Sequence, residues 1–170
     1  LTTPFYDNGI RGEGQIVGIL DSRIAESHCS FNDTDPIGPS HRKIVAYNTS
    51  QGVAFHGTHV AGIVAGDGGD NSDTRGVAYK ARIAFDTTPS FSESQLVALF
   101  EQHRDQGAFV HTNSWGADFR TDYNVWSRAI DRFSWENEDH VVIFAVTNQS
   151  SLYTPENAKN VLAVGGTFDT

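Results

Sequence analysis

Short apolar runs alternate with helix-patterned stretches along this sequence, and few folds satisfy that alternation. The runs are residues 15–20 (QIVGIL), 43–47 (KIVAY), 81–85 (ARIAF), 108–111 (AFVH), 141–146 (VVIFAV) and 161–164 (VLAV). Most are continuously apolar rather than alternating, the pattern of strands buried on both faces. Between them, 57–66 is rich in Ala, Val and Gly on most faces and predicts a buried helix. Residues 92–106 open with Ser92 and Gln95 at capping-box spacing and stop at Gly107, with Leu96, Leu99 and Phe100 as the apolar face. Residues 122–137 carry Trp126, Ala129, Ile130 and Phe133 at helical spacing. The alternation predicts an α/β domain, a mostly parallel sheet with helices on both faces. A length of 170 residues is enough for one domain with its own core, taken as 1–170.

In open α/β sheets, ligand groups gather beyond the carboxyl ends of the strands. Three predicted strands end in chemistry-bearing residues: Asp21-Ser22-Arg23, Asn113-Ser114-Trp115-Gly116 and Asn148-Gln149-Ser150. His56 opens the predicted buried helix in HGTHVAGIVAG. A carboxylate, an imidazole and an amide donor are therefore expected on one edge of the sheet. Each has a plainer reading. A strand-end Asp often caps a turn or helix, and Asn113 or Asn148 alone reads as a loop asparagine. His56 and His59 lie three apart on a helix, but the Glu of H-E-x-x-H and a third ligand are both lacking. His59 reads instead as a packed core histidine. The loop with Asp67, Asp70, Asn71 and Asp73 is dense in oxygen ligands but lacks EF-hand spacing. A solvated acidic turn is its first reading and a structural calcium its second.

Charge narrows the partners. The net charge is −9, with 21 acidic against 12 scattered basic residues, so no phosphate-tracking stripe exists and nucleic acid is not expected. No apolar run reaches bilayer-spanning length, and no membrane partner is expected. Cys29 is alone, which rules out an intrachain disulfide, and it reads as a small buried or half-buried side chain. The chain contains no Met, the mark of a processed or trimmed product. Processing fits removal of a signal or pro-segment and favours a secreted or extracytoplasmic location over a cytoplasmic one.

At these residues the chain resembles the subtilisin-like serine proteases (peptidase S8). GEGQIVGILDSRIAESHCSF is similar to their aspartate segment, and HGTHVAGIVAG matches their histidine segment almost letter for letter. HTNSWGA resembles their substrate-binding strand, VVIFAVTNQS the segment with the oxyanion asparagine, and TPENAKNVLAVGG the strand beyond it. HTNSWGA and AKNVLAVG are most similar to the alkaline proteases that carry an added C-terminal β-sandwich. The resemblance implies that Asp21 orients His56, that His56 is general base and then acid, and that Asn148 donates its amide to the oxyanion. It further implies that Ser114, Trp115 and Gly116 present backbone groups to an extended peptide or protein substrate. No cofactor is required by that chemistry.

The pattern breaks in three places. The family's nucleophile lies in Gly-Thr-Ser-x-Ala, and neither that string nor G-x-S-x-G occurs here. Arg23 stands at a glycine of the aspartate segment, and Thr147 at the glycine before Asn148. The resemblance therefore implies a catalytic domain without its C-terminal part, inactive alone, whose Ser comes from a complementary segment or chain. Such a chain is expected to leave apolar surface uncovered around Val60, Ile63 and Val64. The alternative is a catalytically dead relative that serves as a peptide- or protein-binding module, for which Arg23 and Thr147 argue.

Overall fold

The computed structural model describes residues 3–49, 51–69, 74–87, 92–146, 148 and 151–167. Two compact units, Leu1–Thr87 and Thr88–Thr170, carry its elements.

The first unit contains α1 (Pro4–Asp7), β1 (Ile16–Asp21), β2 (Ile44–Tyr47), α2 (His56–Ala65) and β3 (Arg82–Thr87). Its strands run in the order β2-β3-β1, all parallel. Ile16 lies opposite Arg82 and Asp21 opposite Thr87, so Asp21 closes the carboxyl end of β1. Residues 17–20 and 83–85 are buried, as their continuous apolarity predicts, and the polar Asp21, Asp86 and Thr87 that follow them are buried as well. Val17, Ile19, Ile83 and Phe85 form a core with Ala61 and Ala65 of α2.

α2 differs from the all-round burial expected of it. Its buried residues are Gly57, Ala61 and Ala65, a stripe of small side chains at four-residue spacing. Ile63, on the outer face, is 54% exposed. Small residues let the helix lie close on one layer of strands, and nothing among the described residues covers its other side. The carbonyls of Ile63, Val64 and Gly66, beyond the reach of intrahelical donors, accept the amides of Val77, Ala78 and Gly76.

Two neighbouring cations fasten the loops of this unit. The Arg42 guanidinium donates to the carbonyls of Cys29, Asn32 and Asp67. Lys43, only 3% exposed, donates to the carbonyls of Tyr79 and Ala81 at 2.8 and 2.6 Å. Burial pulls its ammonium down to about 8, against the opposing charge of Asp67. Cys29 is exposed rather than buried, because the turn around it is held by its backbone carbonyl rather than by its side chain.

The second unit contains α3 (Glu93–Asp105), β4 (Ala108–Asn113), α4 (Val125–Glu136), β5 (Val141–Ala145) and β6 (Leu162–Val164), with parallel strands in the order β4-β5-β6. The capping box forms as its spacing predicts: Ser92 Oγ accepts the Gln95 amide and Gln95 Oε1 accepts the Ser92 amide. α4 starts later than its periodicity suggests, because Asn124 caps it by accepting the Trp126 amide at 2.9 Å. Leu96, Val97, Phe100 and His103 of α3 and Ala129, Ile130 and Phe133 of α4 are buried. Here the strands are not buried on both faces: Phe109, Val141, Leu162 and Val164 are 44–54% exposed. Continuous apolarity reports β-propensity as well as burial, and at these strands the two diverge.

Three histidines lie inside this unit. His103, His111 and His140 are at most 8% exposed. The His111 ring stacks on His103 at 5.7 Å and meets the edges of Phe100 and Phe133 at 5.2 and 5.4 Å. Burial, then the neighbouring His103 and His140, push His111 from its ordinary 6.5 down to about 3. The unfolded chain takes up a proton below about pH 6.5 that the folded chain refuses, so the stability tied to His111 is whole above pH 6.5. It is lost progressively as pH falls towards 3, on the order of 3–5 kcal/mol in all. Thermal melts of the chain between pH 7.5 and 4 should show a steep acid decline, and His111→Phe should flatten it. Parallel profiles for the two chains would remove His111 as the cause.

Candidate active site

The first unit brings Asp21 and His56 into contact. Asp21 is 2% exposed at the end of β1, and its Oδ1 lies 2.6 Å from Nδ1 of His56, the first residue of α2. The same oxygen accepts the Ser22 amide at 2.7 Å. A carboxylate only accepts, so Nδ1 is the protonated nitrogen and Nε2 carries the lone pair in the neutral ring. The His56 side chain is 54% exposed, so the ring combines a buried anchor with an accessible face.

Close approach of two segments builds this contact. The Gly57 amide donates to Ser22 Oγ at 2.9 Å, which caps the start of α2 from the aspartate loop. A Cβ on Gly57 would sit 2.0 Å from the Ser22 carbonyl oxygen, a separation no side chain tolerates. Thr58 Oγ1 accepts the Ala25 amide and donates to the Ala54 carbonyl. The Tyr47 hydroxyl accepts the Ile24 amide and donates to the Ile24 carbonyl. Ser22, Gly57, Thr58 and Tyr47 thus hold the loop that carries Asp21. Of these the sequence pattern marked only Ser22, as part of the strand end Asp21-Ser22-Arg23, although Gly57 and Thr58 stand inside HGTHVAG. Arg23 turns aside to Glu26 at 3.5 Å. His59 is exposed rather than packed in the core, because α2 leaves its outer face open; it lines a groove of about 650 Å³ with His28, Phe31, Phe55, Ile63 and Arg75.

In the second unit, Asn113 is 1% exposed and ties β4 to β5 through its amide on the Ile143 carbonyl. Ser114 and Trp115 are half-buried and Gly116 is exposed. Trp115 meets Trp126 and Phe144 edge-on at 5.7 and 5.0 Å. Asn148 lies exposed in a bend after β5. Thr147 lies outside the described residues.

Asp67 is committed to cations of the chain itself. Oδ1 accepts from Arg75 and the Gly69 amide, and Oδ2 faces Lys80 at 3.6 Å. Burial works against its charge, but Arg75, the Gly69 amide and Lys80 outweigh it and hold the carboxyl below the usual range. A carboxylate so engaged fits poorly as a calcium ligand. Asp70, Asn71 and Asp73 lie outside the described residues. Among the described residues, no group of three or more His, Cys, Asp or Glu side chains could hold a metal, and no helix is long and apolar enough to cross a membrane.

The sequence model of the subtilase family matches residues 12–169. The chain belongs to the subtilase family. It is 34% identical to the serine protease/ABC transporter B family protein tagA of Dictyostelium discoideum, over 96% of this chain but 11% of that protein. It is also 34% identical to the thermophilic serine proteinase of Bacillus sp. (strain AK1), over 89% of this chain and 38% of the proteinase. The prenylagaramide maturation protease PagA superimposes with a TM-score of 0.69 at 25% identity, over 92% of this chain and 55% of PagA. This subtilase chain therefore spans well under two thirds of each of these relatives.

The contact between Ser22 and Gly57 is open to a direct test. Gly57→Ala should lower stability by about 3 kcal/mol and remove the low-field Nδ1–H proton signal of His56. An alanine variant that keeps both its melting temperature and that signal would show the helix start to be loosely held.

Proposed function

We propose that this subtilase chain contributes the general base and its orienting carboxylate to peptide-bond hydrolysis by an Asp-His-Ser mechanism. The observation that carries the reading is the buried Asp21 Oδ1 held 2.6 Å from His56 Nδ1. With Nδ1 protonated against Asp21, Nε2 of His56 takes the proton from a serine hydroxyl as its Oγ bonds to the scissile carbonyl carbon. The same nitrogen returns that proton to the leaving amine. Asp21 keeps its charge throughout and stabilises the imidazolium. Asn148 donates its side-chain amide to the carbonyl oxygen as that oxygen gains charge. Backbone groups of Ser114, Trp115 and Gly116 pair with the extended substrate.

The 170 residues contain no Gly-Thr-Ser-x-Ala segment, so the nucleophile comes from sequence outside them, in the same polypeptide or a second one. The test uses the full-length protein and a fluorogenic peptide. Asp21→Asn is nearly isosteric, so the melting temperature should hold while kcat falls by about 10⁴ and KM stays close to wild type. Asn148→Ala should lower kcat by about 10²–10³. Wild-type turnover in the Asp21→Asn protein would end the proteolytic assignment of this pair. Specific peptide binding without turnover by the wild type would point to a binding module instead.

A further inference from the structure

Three asparagines of the chain stand in the pattern Asn-x-Ser/Thr, that of an acceptor for an N-linked oligosaccharide: Asn32-Asp33-Thr34, Asn48-Thr49-Ser50 and Asn148-Gln149-Ser150. So short a pattern recurs by chance, and the fold has to choose among the three. The attached sugar is bulky and hydrated. It therefore needs an asparagine whose Nδ2 faces water and has no buried hydrogen bond to lose.

Asn48 fails that requirement. It is half-buried just after β2, and its Nδ2 donates at 2.8 Å to Oδ2 of Asp86, which is 1% exposed. Thr49 Oγ1 donates to the other oxygen of Asp86 and accepts the Thr87 amide. This pattern is folded onto the carboxyl end of β3, and a sugar on Nδ2 would stand against a buried carboxylate. Asn148 is exposed, but Gln149 and Ser150 lie outside the described residues, and the hydrolytic reading assigns its side-chain amide to the oxyanion.

Asn32 meets the requirement. Asn32, Asp33 and Thr34 are all exposed, in the connection between β1 and β2. Asn32 Oδ1 accepts from Arg42 at 3.3 Å, and its backbone carbonyl accepts Arg42 Nε at 2.6 Å. A guanidinium only donates, so the oxygen of the side-chain amide has to face it. Nδ2 is then turned away from the guanidinium, and among the described residues it has no acceptor. The backbone around it is held in place. The Asn32 amide donates to the His28 carbonyl at 2.8 Å, and the Asp33 carboxylate accepts the Thr34 and Arg42 amides at 2.8 and 2.6 Å.

We propose that Asn32 is the acceptor of an N-linked oligosaccharide, added as the chain enters an extracytoplasmic compartment. The donor is a lipid-pyrophosphoryl oligosaccharide. Nδ2 bonds to the anomeric carbon of its first sugar, the lipid pyrophosphate leaves with the electron pair of the broken C–O bond, and one amide proton is released. Oδ1 is untouched, so Arg42 keeps its acceptor, and the released proton was in no hydrogen bond within the chain. The folded loop accommodates the sugar without losing a contact.

The test uses full-length protein secreted from a eukaryotic host behind a signal sequence, and the same protein from its natural source. Peptides of each are mapped by mass spectrometry before and after peptide N-glycosidase in heavy-oxygen water, which converts each sugar-bearing Asn to a labelled Asp. The label should appear at position 32 on most molecules and be absent at 48. In the host, Asn32→Gln and Thr34→Ala should each lower the intact mass by one oligosaccharide, and Thr34→Ser should not. An unlabelled Asn32 in either preparation overturns the proposal, as does an intact mass that neither variant lowers. A label at Asn48 overturns the selection by burial on which the proposal stands. Should Asn32→Gln fail to fold for want of its contact with Arg42, Thr34→Ala leaves that contact in place and decides.

Discussion

The missing side chain of Gly57 is the constraint on which the Asp21–His56 contact depends. Any Cβ there would collide with the Ser22 carbonyl, so helix and strand-end loop come together only because residue 57 has none. That approach lets Ser22 cap α2 and sets the His56 ring against a buried carboxylate. Steric room, a cap and a charged hydrogen bond are here one arrangement. The residues on either side cannot be altered independently, because the cap that starts the helix also positions its first side chain.

Much of the fold, and the meeting of Asp21 with His56, was legible in the sequence, for identifiable reasons. Each of the six apolar runs became a strand, since a run of β-branched and aromatic residues between turn signals has few other outcomes. The capping box of α3 was readable because both partners are local, three residues apart. Asp21 and His56 were found through the motifs around them, and their separation of 35 positions gave no geometric clue. Burial was harder to read. The face of α2 that carries Ile63 and the face of the second unit that carries Phe109 and Val164 are apolar in sequence yet exposed. Apolar patterning reports what a residue tolerates, whereas burial depends on what else packs there.

The interior of the second unit departs from patterning in the opposite sense. His111 and His140 pack against phenylalanine rings and His103 stacks on His111, where an apolar core reading expects aliphatic side chains. A neutral imidazole is flat and close to a phenyl ring in breadth, so it stacks and meets ring edges much as an aromatic does. At His111 burial disfavours the charged ring, and this makes the packing around it sensitive to proton concentration in a way a phenylalanine there is not.

The adjacent pair Arg42 and Lys43 has a consequence of another kind. Their side chains gather five backbone carbonyls from the segments around residues 29–32, 67 and 79–81. Converging carbonyls of this sort are what a bound inorganic cation commonly organises. Here the positive charge is covalently part of the polypeptide, so its local concentration is set by translation and does not vary with the minerals of the surroundings. Loops tied in this way keep their shape through chelation or dilution, and a single codon change at either position would be needed to release them.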